Sequence, residues 1–150
     1  MIDEVYNAHI LDLAGNIERI GRLAAPDASA TRHSRLCGST ITVDLRVEGD
    51  IVTDYAQEVK ACALGQAAAA VMARAVIGAT AAELRAARDD LEAMLKAGGE
   101  PPAGRFADLK WLLPVRDFKA RHTSTLLAFE AVVACLDDIA ARATAGSVSA

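Results

Sequence analysis

The sequence predicts an α+β domain in which a small antiparallel three-stranded sheet carries helices packed on one face. Two patterns predict it: apolar and polar residues alternate over 40–47, and apolar residues recur at helical spacing from residue 63 to residue 142. The chain has 150 residues, of which 53% are hydrophobic and only 4% aromatic, so the core is aliphatic. Alanine, present 33 times, favours helix because it loses no rotamer freedom there.

The first element is predicted to be a helix. Its apolar residues follow one another at steps of three and four from Ile2 to Ile20, and we expect it to end near Gly21. After a connector around Pro26, residues 28–35 form a weaker candidate strand.

The clearest prediction is a β-hairpin. In the alternating strand 40–47, one face belongs to the core and the other to water. The turn Glu48-Gly49-Asp50 follows, in which Gly49 supplies a positive φ, and residues 51–59 return as the antiparallel partner.

The rest of the chain is predicted to be helical. An apolar, alanine-rich helix stops at Gly78, and Thr80 and Glu83 have capping-box spacing at the start of the next. A short helical segment ends before Pro114, and a long helix forms the C-terminal end of the domain. The four segments are 63–77, 81–97, 106–113 and 122–142. The expected order is therefore α-β-β-β-α-α-α-α in one domain over 1–142, with a disordered tail over 143–150.

Charge and composition exclude several classes of partner. The net charge is −4 and the pI about 5.3, so we expect neither nucleic acid nor an anionic membrane surface as partner. The longest apolar run, 67–73, is far shorter than the roughly 18 residues of a membrane span. The three cysteines form no disulfide framework, and an acidic N-terminus lacks signal-peptide features. We therefore expect a cytoplasmic protein.

Two cysteines are predicted to meet at the open end of the hairpin. Cys37 lies twelve residues before Gly49 and Cys62 thirteen after it, so both emerge on loops at the same edge of the sheet. Cys62 also opens a helix, whose unpaired N–H groups stabilise a thiolate, and Lys60 adds a positive charge. The alternative is that both cysteines are inert core residues.

These features together resemble the NifU/IscU/SufU-type iron–sulfur cluster assembly scaffold family. The matching features are Cys37-Gly38 before an alternating strand, a Gly-Asp hairpin, and a cysteine opening an alanine-rich helix about 25 residues later. The resemblance resumes at residues 115–121 and 126–128, so it covers nearly the whole chain.

The resemblance implies a ligand set of three cysteines and one aspartate, which this chain lacks in part. Cys37 and Cys62 match two of the cysteines. Ser39 stands where the family has its aspartate, and Ser124 stands where it has its third cysteine.

Two other residues are candidates to replace the missing ligands. Cys135 lies on the same helix as Ser124 but about 16 Å along its axis, so we expect a core cysteine there. His122 is the better candidate metal ligand, because imidazole binds Zn and Fe well. The alternative for His122 is an exposed histidine at a helix start.

Three functions remain open. The first is a scaffold-like protein that binds Fe, Zn or a nascent cluster transiently through Cys37 and Cys62, with a cysteine desulfurase and recipient apo-proteins as partners. The second is a sulfur-transfer accessory in which Cys62, or Cys37, accepts a persulfide from the desulfurase. The third is a degenerate paralogue without metal or sulfur chemistry. We expect no enzymatic activity unless the chain acts as a sulfur acceptor.

Overall fold

The sheet and its order confirm the predicted α+β class. The structure, a computed structural model, describes residues 7–36 and 38–149, with side chains up to residue 144. Its helices are α1 (Ala8–Ala14), α2 (Ala63–Ala75), α3 (Ala81–Lys96) and α4 (His122–Ser149), and its strands are β1 (Ala28–Ser34), β2 (Ser39–Glu48) and β3 (Ile51–Lys60). Two 3₁₀ segments, Gly104–Asp117 and Lys119–Arg121, lie between α3 and α4.

The three strands form one antiparallel sheet in the order β1-β2-β3. Glu48 pairs with Ile51 across a two-residue turn, and Gly49 has the positive φ of 62° that the turn requires. Ile41, Val43 and Leu45 are fully buried on the face covered by helices. Helix α4 packs on β1 and β2, while α2 packs against α1, α4 and β3.

The alternation predicted that the opposite face of the sheet is exposed to water. The structure differs, because part of that face is buried. Asp44 on that face is fully buried. Arg22 donates to its carboxylate at 2.7 and 3.0 Å, Ser29 Oγ donates at 2.6 Å, and the backbone N–H of Leu23 donates at 2.9 Å. The connector before β1 therefore crosses this face and is fixed there by one buried carboxylate.

The first helix is shorter than predicted. It begins at the N-cap Asn7, whose side chain accepts from the N–H of Ile10 at 3.0 Å, and ends at Ala14 instead of near Gly21. Residues 19–21 instead run beside β3, where the N–H of Gln57 donates to Arg19 and the N–H of Gly21 donates to Gln57. Hydrogen bonds to the sheet edge thus replace the helix, and Ile20 is 59% exposed. The part of this prediction over residues 1–6 lies outside the described residues.

The C-terminal half follows the predicted order, with two differences in detail. The capping box of Thr80 and Glu83 is present. The third helical segment is a 3₁₀ helix that continues past Pro114 to Asp117. Helix α4 extends into the predicted tail, and the domain boundary at residue 142 stays a prediction. None of the helices in the described part of the chain combines the length and the apolar character that a membrane span requires.

We predict that Asp44→Asn lowers the free energy of unfolding at pH 7 by about 2–3 kcal/mol, because it removes a charged acceptor from buried hydrogen bonds. Burial by itself raises the pKa of Asp44, but hydrogen bonds from Arg22, Ser29 and Leu23 outweigh it and hold that pKa below its ordinary value. The stabilisation is therefore present above about pH 4 and is lost as the pH falls through the pKa of the folded protein.

Urea denaturation at pH 7 and at low pH measures this effect. Wild type and variant should differ at pH 7 and converge in acid. Asp54→Asn is the matched control, because Asp54 is 49% exposed and lies 3.8 Å from Arg19, so its change should be within about 0.5 kcal/mol. Equal stability of Asp44→Asn and wild type at pH 7 would contradict the prediction.

Candidate functional site

Cys62 lies at the start of α2, as the sequence predicts. It is the N-cap residue, with the extended φ and ψ of −67° and 169°, and its side chain makes no capping hydrogen bond. Its carbonyl oxygen accepts from the N–H of Gln66 at 2.9 Å, which begins the helix. Cys62 is half-buried and unbridged, and it packs against the edge of the hydrophobic core.

Ser124 stands beside this thiol. It belongs to the first turn of α4 and is fully buried, and its Oγ lies 3.6 Å from Cys62 Sγ. The same hydroxyl donates to the carbonyl oxygen of Arg121 at 3.1 Å. Two residues 62 positions apart in the sequence are thus brought into contact by the packing of α2 against α4.

Gly65 makes this contact possible. A Cβ atom at position 65 would stand 3.0 Å from the carbonyl oxygen of Ser124 and 2.9 Å from the Cβ of Ala61. Only glycine lets the two helices approach this closely, and the sequence analysis missed this residue. The signal was a single glycine in a helix otherwise rich in alanine.

The distance between Cys62 and Ser124 suits two ligands of one metal. In a tetrahedral site with bonds of about 2.3 Å to sulfur, neighbouring ligand atoms lie roughly 3.8 Å apart. The observed 3.6 Å is close to this value. This spacing would allow both atoms to bind one metal, and it is also an ordinary hydrogen-bond distance between a thiol and a hydroxyl. The hydroxyl keeps its proton at neutral pH and is a weak ligand.

Ser39 lies at the same edge of the sheet. It is the first residue of β2 and is buried, and Thr40 after it pairs with Lys60, two residues before Cys62. Cys37 lies outside the described residues, so its approach to Cys62 stays a prediction. Among the described residues, no group of three or more His, Cys, Asp and Glu side chains has the arrangement to hold a metal ion.

His122 does not offer Nε2 to this site. The ring is buried, contrary to the alternative of an exposed histidine, and Nε2 lies 3.0 Å from the carbonyl oxygens of both Val115 and Arg116. Because carbonyl oxygens only accept hydrogen bonds, Nε2 carries the hydrogen and donates, so it has no lone pair free for a metal. Nε2 of His122 therefore fixes the preceding 3₁₀ segment to α4 and is not a metal ligand in this arrangement.

Cys135 is a core cysteine, as predicted. It is fully buried, and its Sγ lies 3.7 Å from the carbonyl oxygen of Val43 in the middle of β2. Burial, with smaller effects from Asp44 and Asp138, raises the pKa of this thiol to about 12. Cys135 therefore stays protonated and unreactive at neutral pH.

Comparison with known proteins gives consistent matches along the chain. A family model described as the NifU-like N terminal domain matches residues 5–124. The chain is 27% identical over 137 residues to a protein from Thermotoga maritima named iron–sulfur cluster assembly scaffold protein IscU, covering 90% of this chain and 94% of that protein.

Two crystal structures are similar to this chain. The N-terminal part of a nitrogen-fixing NifU-like protein from Brucella abortus has 64% identity and a TM-score of 0.91, over 92% of this chain and 96% of that one. A structure titled a putative scaffold protein for the SUF system, from Fervidobacterium islandicum, has 22% identity and a TM-score of 0.80, over 88% and 96%. At 22% identity, the similarity to the second structure shows a shared fold and nothing more.

We predict that Gly65→Ala destabilises the protein by about 1–3 kcal/mol, because the new methyl group forces α2 and α4 apart. This loss exceeds the gain of about 0.5–1 kcal/mol that alanine brings to a helix interior. Urea unfolding measures the stability, and the rate at which a thiol reagent modifies Cys62 should rise as Ser124 moves away.

A second substitution tests the cause. Ala61→Gly removes one of the two close contacts that a Cβ atom at position 65 would make. The loss of stability in the double variant should therefore be smaller than the sum of the losses measured for Gly65→Ala and Ala61→Gly alone. Unchanged or increased stability of Gly65→Ala would contradict the role given to this glycine.

Proposed function

Because the chain belongs to the NifU-like N-terminal domain family, we propose that it works as an iron–sulfur cluster assembly scaffold that holds Fe, Zn or a nascent cluster transiently through Cys37 and Cys62. The observation that carries this proposal is the 3.6 Å distance between Cys62 Sγ and Ser124 Oγ at the N-terminus of α2. The scaffold relative from Thermotoga maritima supports it.

The residues at the site explain why the cargo is held weakly. Thiolates are the soft ligands that iron and zinc prefer, and this chain offers two of them. Ser39 and Ser124 add hydroxyls in place of the aspartate and third cysteine of the family. A metal or cluster bound by two strong ligands keeps open coordination positions, through which it can be exchanged. A cysteine desulfurase would supply the sulfur and recipient apo-proteins would take the cluster, so this chain's own part is to bind and release.

We predict that anaerobically purified wild type carries iron, zinc or sulfide that a chelator removes readily, and that Cys62→Ala lowers this content about tenfold. The physical reason is the loss of one of two strong ligands. Elemental analysis and a sulfide assay measure the content. Cys135→Ala is the matched control, because it removes a thiol buried against Val43 and should leave the content unchanged.

The same assay includes a gain-of-function variant. Ser124→Cys places a third thiol within reach of the metal that Cys62 binds, so the zinc affinity should rise roughly tenfold or more. Failure of Ser124→Cys to strengthen zinc binding would contradict the ligand geometry assigned to position 124.

A second candidate function is supported by the partial exposure of Cys62. A persulfide acceptor needs one accessible thiol, and the thiol of Cys62 is half-buried and makes no capping hydrogen bond. In this reaction the Cys62 thiolate attacks the outer sulfur of a desulfurase persulfide. A new S–S bond forms on Cys62, the original S–S bond breaks, and the desulfurase cysteine leaves as a thiolate. The missing metal ligands do not affect this chemistry.

We predict that, if sulfur transfer is the function, incubation with a desulfurase and cysteine adds the mass of one sulfur atom to wild type and not to Cys62→Ala. Mass spectrometry of the intact protein checks it, with Cys135→Ala as the control that still gains sulfur. A mass gain that persists in Cys62→Ala moves the role to Cys37. Absence of metal, sulfide and added sulfur in every variant would leave a degenerate paralogue.

A further inference from the structure

A basic cleft lies between the end of α3 and the start of α4. Its volume is about 520 Å³, within the range of roughly 300–1,000 Å³ that is typical of small-molecule sites. Among the described residues that line it, three are cationic and none is acidic, although Asp and Glu outnumber Lys and Arg by 20 to 16 in the chain. The lining includes Leu95, Lys96, Gly98, Arg116, Lys119 and Thr123.

The guanidinium of Arg116 is fixed by the protein at the wall of this cleft. Its Nε donates to the carbonyl oxygen of Met94 at 2.8 Å, and its Nη2 donates to that of Gly99 at 2.9 Å. These two bonds use two of the five N–H donors of an arginine, so others remain for a ligand. A donor that is held in position before binding loses less conformational entropy when the ligand arrives.

The two lysines of the basic cleft provide charge that the protein neutralises little or not at all. Lys119 is exposed and forms no ion pair with the described residues. Lys96 lies 3.8 Å from Glu92 one helical turn earlier, a solvent-exposed contact of small strength. The neighbouring cavity beside Thr123 is different, because Glu92 and Glu130 line it. Positive charge is therefore concentrated in the basic cleft.

The chemistry of these groups favours a phosphate-bearing ligand. A guanidinium presents a planar fork of donors that matches phosphate oxygens, and lysine ammonium groups neutralise a multiple negative charge. Thr123 brings the first turn of α4 to the same cleft, and the N-terminal end of a helix attracts anions. A metal cation would be repelled by the same three side chains.

We propose that the basic cleft binds a small polyphosphate, either pyrophosphate or the phosphate chain of a nucleotide, through Arg116, Lys96 and Lys119. This inference does not depend on the proposed scaffold function, because it uses none of the cysteines or serines assigned to the metal. Lys119 provides the sharpest test, since it makes no contact that the fold requires, whereas Arg116 also joins α3 to the 3₁₀ segment.

The experiment titrates wild type, Lys119→Gln and Lys110→Gln with sodium pyrophosphate by calorimetry. The buffer contains about 0.15 M KCl, which screens weak contacts between surface charges. Lys110 is the matched control: it is an exposed lysine of the 3₁₀ segment, lies 5.0 Å from the centre of the Trp111 ring, and does not line the cleft. Urea unfolding establishes that both variants are folded.

We expect wild type to bind pyrophosphate and Lys119→Gln to bind it about tenfold more weakly, because a charge-assisted hydrogen bond to phosphate is lost. Lys110→Gln should bind as wild type does. A parallel titration with ATP distinguishes the two sources of phosphate. Equal affinities for ATP and pyrophosphate assign the site to a free polyphosphate. An ATP affinity at least tenfold higher, and reduced in Lys119→Gln, assigns it to a nucleotide.

Three results overturn the proposal. The first is that wild type binds neither pyrophosphate nor ATP at millimolar concentration. The second is an equal loss of affinity in Lys119→Gln and Lys110→Gln, which would show general attraction between charges and no defined site. The third is tighter binding of a hexaglutamate peptide than of either phosphate compound, which would make the cleft a docking site for an acidic protein segment.

Discussion

The close approach of α2 to α4 is the constraint on which the candidate site depends. It occurs at Gly65, where a side chain of any size would collide with the backbone of Ser124. Because the helices meet there, the thiol at the N-cap of α2 faces a hydroxyl in the first turn of α4 at 3.6 Å. A looser packing would leave Cys62 a solitary thiol on a helix end.

The surrounding fold holds this contact in place from both sides of the sheet. On the core face, α4 packs along β1 and β2 and buries Cys135 against the backbone of Val43. At the start of α4, His122 joins the helix to the 3₁₀ segment before it. On the far face, Asp44 fixes the N-terminal connector across the strands.

The elements that local sequence signals describe were predictable. The alternation of apolar and polar residues predicted β2, and the glycine at the hairpin turn predicted its pairing with β3. The capping box predicted the start of α3. The predictions failed where long-range hydrogen bonds compete with local periodicity. The apolar spacing up to Ile20 predicted a long first helix, but the backbone of residues 19–21 bonds to Gln57 on β3 instead. Pro114 predicted the end of a helical segment, yet a 3₁₀ segment continues through it.

For the site, the sequence by itself determined that Cys62 opens a helix at the open end of a hairpin, because strand register and helix capping are local properties. It also indicated, through the family resemblance, that serines replace two ligands. Only the tertiary structure decided which groups meet. The contact of Cys62 with Ser124, the use of His122 Nε2 by backbone carbonyls, and the basic cleft between α3 and α4 each depend on packing between segments distant in the chain. Such contacts follow from helix separation and sheet register, which no local pattern of residues specifies.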